Sequence, residues 1–409
     1  MKQKFAYSPF TNLARLLRAS LAAWAVTHGI EAAALDLLDG KAQLHGFFSQ
    51  GAVFTTNNNF LGNTKDHVGL DFREIGLNFS IQPNTRLRLS AQGVSRWAGK
   101  MDQGQPWLDY AFADLNLFSD ENKRFGIRGG RIKNAHGLYT ESRDAAFTRP
   151  GVVLPQTIYF ERSRKFILSG DGVHFYGEIE APGGNLDLRL MLVDLPINDI
   201  SSKSAIIGYK AQGQLEQDRM TPGARLIYET NNKRWRVGMT YFTLSQTYHP
   251  VAHDRYLGMR VLLEPWVFSL QYSGEKLTLT TEYSERYTEF TPQAAGTHTQ
   301  KTTAQNWYAQ AQYRFIHDWE LLLRYESTTA DINDPDGRHY EQATKRPAFT
   351  RFTHDFVAGL RYDLTPSIML RAEYHHVQGT SWLSSLDNPD SSKLQRDWDM
   401  FMLLGSYHF

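Results

Sequence analysis

The chain has no cysteine among its 409 residues. A protein that crosses an oxidising compartment while still unfolded benefits from having no thiol that can mispair. Long apolar runs are missing as well. Beyond the N-terminus no stretch of about 18 or more apolar residues occurs, and the mean hydropathy is −0.46. The lack of such runs excludes a membrane protein built from apolar helices.

Common catalytic motifs are also missing. The sequence contains no G-x-S-x-G, no H-E-x-x-H and no glycine-rich phosphate loop. DINDPDG (331–337) approaches a calcium-loop pattern, but Gly337 falls one place late, which favours a polar turn. His375 and His376 are adjacent in a predicted strand, so they point to opposite faces and cannot bind one metal together. The sequence therefore predicts no catalytic residue, no metal and no cofactor.

Residues 1–34 have the three parts of a secretory signal peptide. Basic residues come first, then a short apolar core, then small residues for cleavage: Lys2, Lys4, Arg15 and Arg18, ASLAAWAV (19–26), and Ala32-Ala33-Ala34. The alternative is an amphipathic N-terminal helix. Without residues 1–34 the chain keeps 40 Lys+Arg against 42 Asp+Glu, a net charge of −2. This near neutrality gives no indication of a nucleic-acid partner.

What the sequence does have is a period of two. Aromatic residues make up 13% of the chain and glycines number 31, which favours many strands and turns. In NLDLRLML, for example, leucines at 186, 188, 190 and 192 alternate with Asp187 and Arg189. Sixteen segments show such a pattern: 42–55, 69–82, 85–97, 107–118, 123–135, 171–180, 185–194, 223–230, 234–246, 256–273, 276–289, 305–315, 319–329, 355–364, 368–379 and 397–409.

The connections between these segments alternate between short turns and long loops. That pattern is typical of an outer-membrane barrel with short periplasmic turns and long extracellular loops. A sheet in lipid must close, because unpaired backbone groups in hydrocarbon cost several kcal/mol each. We therefore predict an all-β protein, a transmembrane antiparallel barrel of about 16 strands within residues 35–409. Its apolar face must meet lipid, whereas a soluble β-sandwich would bury that face.

Two places disturb the alternation. The phase changes at Glu264-Pro265, which we interpret as a bulge with proline at a non-pairing position. A tight turn there would instead give eighteen strands. The phase also slips at Gly129-Gly130, where we predict a second bulge. That bulge would turn three bases into the lumen: Arg128, Arg131 and Lys133.

The C-terminal strand resembles the signature of Gram-negative outer-membrane proteins, which end in Phe with an aromatic residue two places earlier. The matching residues are Phe401, Leu403, Tyr407 and Phe409, with Gly405 a small departure. The signature implies recognition by the barrel-assembly machinery. The whole chain from residue 42 resembles a sixteen-stranded porin, a family in which the third external loop folds into the lumen. Here the third long connection, 137–170, is the longest, so we expect it to be the constriction loop.

A channel needs a water-filled constriction lined by fixed charges. The candidates for this lining are charged residues at strand positions that face the lumen and on the inserted loop: Arg86, Arg88, Arg96, Arg128, Arg131, Lys133, Glu141, Arg143, Asp144, Glu161, Arg324, Arg361 and Arg371. Bases slightly outnumber acids, which favours a weak anion preference. The alternative is that these residues form structural ion pairs without a selective role. Aromatic residues near strand ends are expected to form interface girdles in contact with outer-membrane lipid.

The predicted function is passive diffusion of small hydrophilic solutes across the bacterial outer membrane. Residues 35–41 alone separate the signal peptide from the first strand, so we expect no plug domain there and no energised uptake. The porin resemblance implies a possible homotrimer. Two other functions stay open: a non-conducting structural or adhesive barrel plugged by residues 137–170, and a barrel hydrolase with a rim residue such as His136.

Overall fold

The computed structural model describes residues 35–38 and 40–409. The predicted signal peptide, residues 1–34, therefore lies outside the described residues. Within the described part, sixteen antiparallel strands form one sheet. They are β1 (Ala42–Thr55), β2 (Gly69–Ile81), β3 (Leu87–Ala98), β4 (Trp107–Ser119), β5 (Lys123–Lys133), β6 (Ser169–Ala181), β7 (Gly184–Asp194), β8 (Gln214–Gln217 with Thr221–Thr230), β9 (Trp235–Phe242 with Leu244–His249), β10 (Met259–Ser273), β11 (Leu277–Pro292), β12 (Gln300–Ile316), β13 (Trp319–Thr329), β14 (Phe352–Thr365), β15 (Ile368–Gly379) and β16 (Asp397–His408).

The sheet closes into a barrel because β16 pairs with β1. In that pair Tyr407 lies opposite Phe48, and the backbone groups of Gly46 and Phe409 exchange hydrogen bonds of 3.2 and 3.1 Å. A Cβ on Gly46 would lie 2.5 Å from the ring of Phe409, so the missing side chain makes room for that ring. The predicted barrel of sixteen strands is confirmed, and each of β1 to β16 has a neighbour on both sides within residues 40–409. A short strand, Leu35–Leu37, pairs with the start of β1.

The two faces of the barrel have the predicted polarity. On β7 the side chains of Leu188, Leu190 and Leu192 are exposed on the outside at 37%, 44% and 42%. Between them, Arg189 points inward and forms an ion pair of 2.8 Å with Asp187. Because polar residues line the inside and apolar residues cover the outside, the arrangement is the reverse of a soluble sandwich.

The prediction of a bulge or an extra turn at Glu264-Pro265 is wrong. The register between β10 and β11 runs without a shift through this point, where Pro265 lies opposite Arg286. Val261 points inward into an apolar cluster beneath the long loops, whereas Phe268, nearer the short turns, points outward. The phase of the pattern changes because the apolar face of β10 switches from the outside to the inside along one regular strand.

The prediction of a bulge at Gly129-Gly130 is also wrong. The register of β5 is continuous there with both β4 and β6. The shifts occur in neighbouring positions, between Asn116 and Phe118 and between Gln92 and Gly93. Arg128 and Arg131 consequently lie on opposite faces of β5, because residues three apart in a regular strand do so.

The long connection after β5 folds into the lumen, as predicted. It carries two 3-10 turns, Ala146–Thr148 and Glu161–Ser163, and ends in the helix Arg164–Leu168 that leads into β6. We refer to residues 137–170 as the inward loop. The other long connections hold the helices Ile200–Ile206 and Arg338–Thr344, the 3-10 turns Ala348–Thr350 and Ser391–Lys393, and the two-residue strand Asp102–Gln103. Among the described residues, none of the helices is long and apolar enough to cross a membrane.

Candidate functional site

The inward loop is held by acidic side chains that project from the far wall of the barrel. The backbone N–H of Leu138 donates to Glu282 (3.1 Å), that of Val152 to Glu373 (2.7 Å) and that of Thr157 to Glu326 (3.1 Å). These carboxylates belong to β11, β15 and β13 respectively, so they satisfy loop donors that would otherwise be buried without partners. The loop therefore spans the lumen and is fixed to the far wall by hydrogen bonds to three carboxyl groups.

At the near wall, one arginine joins three carboxylates. Arg96 on β3 is completely buried and contacts Glu74 on β2 (3.2 Å), Asp102 (2.6 Å) and, from the inward loop, Glu161. A buried guanidinium is tolerated only when its charge and its donors are both satisfied. Arg96 meets both conditions because its partners come from the barrel wall and from the inward loop. Its side chain therefore holds the loop against the wall.

Bases from the loop complete this cluster. Arg149 and Arg164 both contact Glu74 (2.8 and 3.2 Å), and Arg143 contacts Glu161 (2.9 Å). We call the whole cluster the central ion network. It consists of six bases and five carboxylates: Arg96, Lys133, Arg143, Arg149, Arg164 and Lys165 with Glu74, Asp102, Asp109, Asp144 and Glu161.

Two loop members of the network, Glu161 and Arg143, are ionised at neutral pH. Burial alone would raise the pKa of Glu161, but Arg96 and Arg143 more than offset it and hold that pKa at about 2. Burial lowers the pKa of Arg143 to about 10, against the opposing effect of Glu161. Both values leave the groups charged at pH 7, so the contact between Arg143 and Glu161 within the loop is a true ion pair.

A second charged cluster lies across the lumen on β13 to β15. Arg324 pairs with Glu326 (2.6 Å), and His375 lies between Asp355 (2.8 Å) and Glu373 (3.3 Å). Arg371 donates to the carbonyl of loop residue Gly151 (2.6 Å).

The contact between loop and wall requires a glycine at position 151. A Cβ at this position would lie 2.4 Å from Glu373 Oε1 and 3.0 Å from the carbonyl oxygen of Val153. Only a residue without a side chain lets the loop backbone approach the wall this closely.

The structure brings together many of the predicted constriction residues. Five lie in the central ion network: Arg96, Lys133, Arg143, Asp144 and Glu161. Arg324 and Arg371 belong to the second cluster, and Arg361 contacts Asp363 (2.7 Å) and the carbonyl of Phe147 in the loop (3.2 Å).

The remaining predicted residues lie elsewhere. Glu141 pairs with Arg225 on β8 (2.6 Å), and Arg128 pairs with Asp114 on β4 (2.9 Å). Arg86 and Arg88 are exposed near the short-turn end of the barrel. Arg131 lies outside the central ion network and pairs with Asp171 (2.6 Å). Lys133, two residues further along β5, instead reaches Asp109 (3.1 Å) and Asp144 within the network.

The sequence analysis missed three carboxylates of the central ion network: Glu74, Asp102 and Asp109. Glu74 could have been found, because it alternates with Ile75 and Leu77, which are exposed on the outer face. Asp109 sits at the register shift opposite Gln92 and Gly93, so a strict alternation does not assign its face. Asp102 lies in the connection between β3 and β4, where no periodicity applies.

Two cavities lie on either side of the inward loop. The upper cavity, on the side of the long loops, has a volume of about 700 Å³ and is bounded below by loop residues such as Ile158 and Phe160. The lower cavity, on the side of the short turns, has a volume of about 620 Å³ and reaches Leu138 and Glu141 of the loop. The loop thus divides the lumen into two vestibules, and the upper one combines polar and apolar side chains.

Two observations bear on the alternatives of a metal site and of a hydrolase that uses His136. Across residues 40–409, no group of three or more histidines and carboxylates is arranged to hold a metal ion. His136 is buried against Phe242, with ring centroids 5.5 Å apart, and does not lie at an open rim. Burial, together with Arg143, lowers the pKa of His136 to about 4, so its ring is neutral at pH 7.

Solved structures with the same architecture are outer-membrane barrels. The outer membrane channel DcaP of Acinetobacter baumannii matches with a TM-score of 0.57 and 12% identity, over 91% of this chain and 99% of that chain. The anion-selective porin from Comamonas acidovorans matches with a TM-score of 0.54 and 11% identity, over 90% and 99%. The in-vitro folded OmpT of Vibrio cholerae, in its trimer form, matches with a TM-score of 0.54 and 11% identity, over 90% of this chain and 99% of that chain.

No family model matches the chain, and no curated protein sequence matches it. At identities this low the similarity concerns the fold. The chain has the porin fold, a closed barrel of sixteen antiparallel strands with a long loop folded inside.

Proposed function

We propose that the protein is an outer-membrane channel through which small hydrophilic solutes diffuse passively. The observation that carries this proposal is the division of a polar, closed lumen into two vestibules by one inward loop. Fixed charges around a narrow point are the usual basis of selectivity in such pores. The similarity to a channel and to an anion-selective porin supports the same function.

A weak anion preference is proposed for this channel. The central ion network has one more base than acids, and the upper vestibule carries Arg162, Arg286 and Arg351. The lower vestibule contains more carboxylates than bases, among them Glu141 and Asp187. Vestibules of opposite sign in series keep the overall preference small, because each repels the ion that the other attracts.

We further propose that the chain is exported by its N-terminal signal peptide, inserted by the barrel-assembly machinery and assembled as a homotrimer in the outer membrane. The exposure of aromatic and apolar side chains on β16, such as Phe401 and Leu403, supports contact with lipid and with the assembly machinery. The trimer form of a protein with the same fold supports the oligomeric state. Light scattering of the detergent-solubilised protein tests it, because a monomer and a trimer differ threefold in mass.

A second candidate function is a non-conducting barrel, plugged by the inward loop. The observation that favours it is the burial of loop residues Val152, Val153 and Leu154, whose side chains are at most 1% exposed. Val152 and Val153 pack into an apolar cluster with Trp382 and Trp398 beneath the long loops. A loop held this firmly leaves little room for solute.

Planar-bilayer recording of the refolded protein separates the two candidates. The channel predicts discrete conductance steps and, in a salt gradient, a reversal potential that shows a mild anion preference. A variant in which residues 145–158 are replaced by a short Gly-Ser linker serves as the control, because it opens the lumen in either case. Steps from that variant, with none from an equally well folded wild type, would establish the plugged barrel and refute the channel.

A further inference from the structure

Three arginines converge on the upper cavity from three separate parts of the chain. Arg162 comes from the inward loop, Arg286 from β11 and Arg351 from the residue just before β14. The guanidinium carbons of Arg162 and Arg286 lie 5.2 and 5.6 Å from the centre of the same ring, that of Phe160. Arg351 lies against the ring of Tyr340 (4.8 Å), which also lines the cavity.

None of these three arginines forms an ion pair in the described part of the chain. Among residues 40–409, no carboxylate oxygen lies within 4.0 Å of Arg162, Arg286 or Arg351. Nε of Arg286 is buried and has no hydrogen-bond partner within the described part of the protein. Burial and the like charges of the other two lower the pKa of Arg162 to about 10. Three like charges held together in this way are stabilised by an anion.

The carboxylates that do border the cavity are already engaged. Asp334 accepts hydrogen bonds from the backbone N–H groups of His339 (3.1 Å) and Tyr340 (2.9 Å). Asp331 accepts from the backbone N–H of Asn333 (3.0 Å). Both shape the loop between β13 and β14, and neither lies within 4.0 Å of the three arginines, although Asp334 interacts with the charge of Arg351 at longer range.

One wall of the cavity is apolar. It is formed by side chains from the inward loop and the strands beneath the long loops: Ile158, Phe160, Phe166, Phe242, Leu263 and Phe290. Hydroxyl and amide side chains, among them Ser284, Thr302 and Asn306, line the rest. A volume of about 700 Å³ is in the range of small-molecule sites. A hydrated inorganic ion would leave this apolar wall without a contact, whereas an organic anion would cover it.

We propose that the upper cavity binds small organic carboxylates with an aromatic or alkyl body, and that, on the channel function proposed above, it captures the solute that the barrel passes. The carboxylate lies among Arg162, Arg286 and Arg351, which offer the planar donor pairs that suit it. The apolar body lies against Phe160 and Phe290. The site therefore selects for charge and apolar surface together.

Calorimetric titration of the refolded barrel in detergent tests this inference with four probes: benzoate, benzamide, acetate and inorganic phosphate. Benzoate is expected to bind saturably and most tightly. Benzamide lacks the charge and acetate lacks the body, so each is expected to bind at least about tenfold more weakly. Phosphate binding as tightly as benzoate would overturn the assignment to organic carboxylates, and so would the absence of saturable benzoate binding.

Variants locate the site. Arg286→Gln is expected to weaken benzoate binding at least about tenfold, while Arg286→Lys, which keeps the charge but loses the planar donor pair, is expected to bind with an affinity between those of Arg286→Gln and wild type. Arg131→Gln is the matched control, because Arg131 does not border the upper cavity and its replacement should leave binding unchanged. Equal binding by Arg286→Gln and wild type would refute the site. The titration does not depend on conductance, so the proposed site and the proposed channel can be refuted separately. A barrel that binds benzoate but shows no conductance would refute only the channel function. A barrel that conducts but does not bind benzoate would refute only the binding site.

Discussion

Arg96 on the barrel wall and Glu161 on the inward loop form a buried ion pair, with side chains exposed by 0% and 4%. The pair joins two parts of the chain that are 65 residues apart. Removing one partner of such a pair leaves a buried charge uncompensated, which costs about 3–5 kcal/mol. Arg96 also contacts Glu74 and Asp102, so three carboxylates depend on it.

Replacing Arg96 is therefore expected to release the loop. Arg96→Met should destabilise the folded barrel by about 3–5 kcal/mol and increase the amplitude of fluctuations in single-channel current. The matched control is Arg131→Met, because its half-exposed pair with Asp171 is expected to contribute at most about 1 kcal/mol. Denaturant unfolding in detergent measures the difference, and equal losses in the two variants would contradict the role assigned to Arg96.

The pH dependence of the loop contact follows from Glu161. Its pKa is about 2 in the folded protein against an ordinary value of 4.5, so its stabilising effect is complete above pH 4.5 and is lost as the pH falls toward 2. The difference in unfolding free energy between wild type and Glu161→Gln should be constant from pH 7 to about 5 and shrink below it. Protonation of His136 in the same range is common to both proteins and cancels in this difference. A midpoint above pH 5 would argue against an ionised, base-paired Glu161.

The close approach of loop and wall at Gly151 leads to a third prediction. Gly151→Ala should displace the loop backbone from Glu373 and destabilise the barrel by about 1–3 kcal/mol, since the added methyl group has no space. Gly129→Ala on β5 is the control, because a Cβ there would have nothing within 4 Å. The temperature at which each barrel unfolds in detergent compares them. If Gly151→Ala unfolds at the temperature of Gly129→Ala, the loop does not lie where the structure places it.

Charge selectivity should depend on Arg128 and not on Arg131. Arg128 faces the lumen, where it pairs with Asp114, whereas Arg131 lies on the opposite face of β5. Arg128→Gln is expected to reduce the anion preference seen in reversal potentials, and Arg131→Gln should leave it unchanged. The opposite ranking would mean that β5 has the bulge that the sequence pattern suggested.

The strands could be predicted from the sequence because one physical constraint acts along the whole barrel. Residues such as Leu188 and Arg189 must face lipid and lumen in turn, and this produces a period of two that survives in every strand. The pattern misled at Glu264-Pro265, where β10 carries its apolar residues outside near the short turns and inside beneath the long loops. The alternation shows which face of a segment is apolar. It does not show where along a strand the apolar face changes from facing lipid to facing the interior of the barrel.

The site was harder to predict than the barrel. The inward loop was identified through its length and a family resemblance, and its charged residues Arg143, Asp144 and Glu161 are indeed in the central ion network. Which wall residues these loop charges contact depends on the stagger between neighbouring strands. The alternation of apolar and polar residues in the sequence does not determine that stagger. Arg162 and Arg286, 124 positions apart in the sequence, meet at one ring only because the loop crosses the lumen.

The central claim is that the two faces of each strand meet different solvents, and one measurement tests it most directly. The natural chain has no cysteine, so single cysteines at Asp187 and Leu188 can be introduced in turn and exposed, in lipid vesicles, to a water-soluble thiol reagent. Asp187 borders the lower cavity, whereas Leu188 lies on the outer face. The account predicts rapid labelling at position 187 and little at 188. Rapid labelling at 188 with protection at 187 would contradict it.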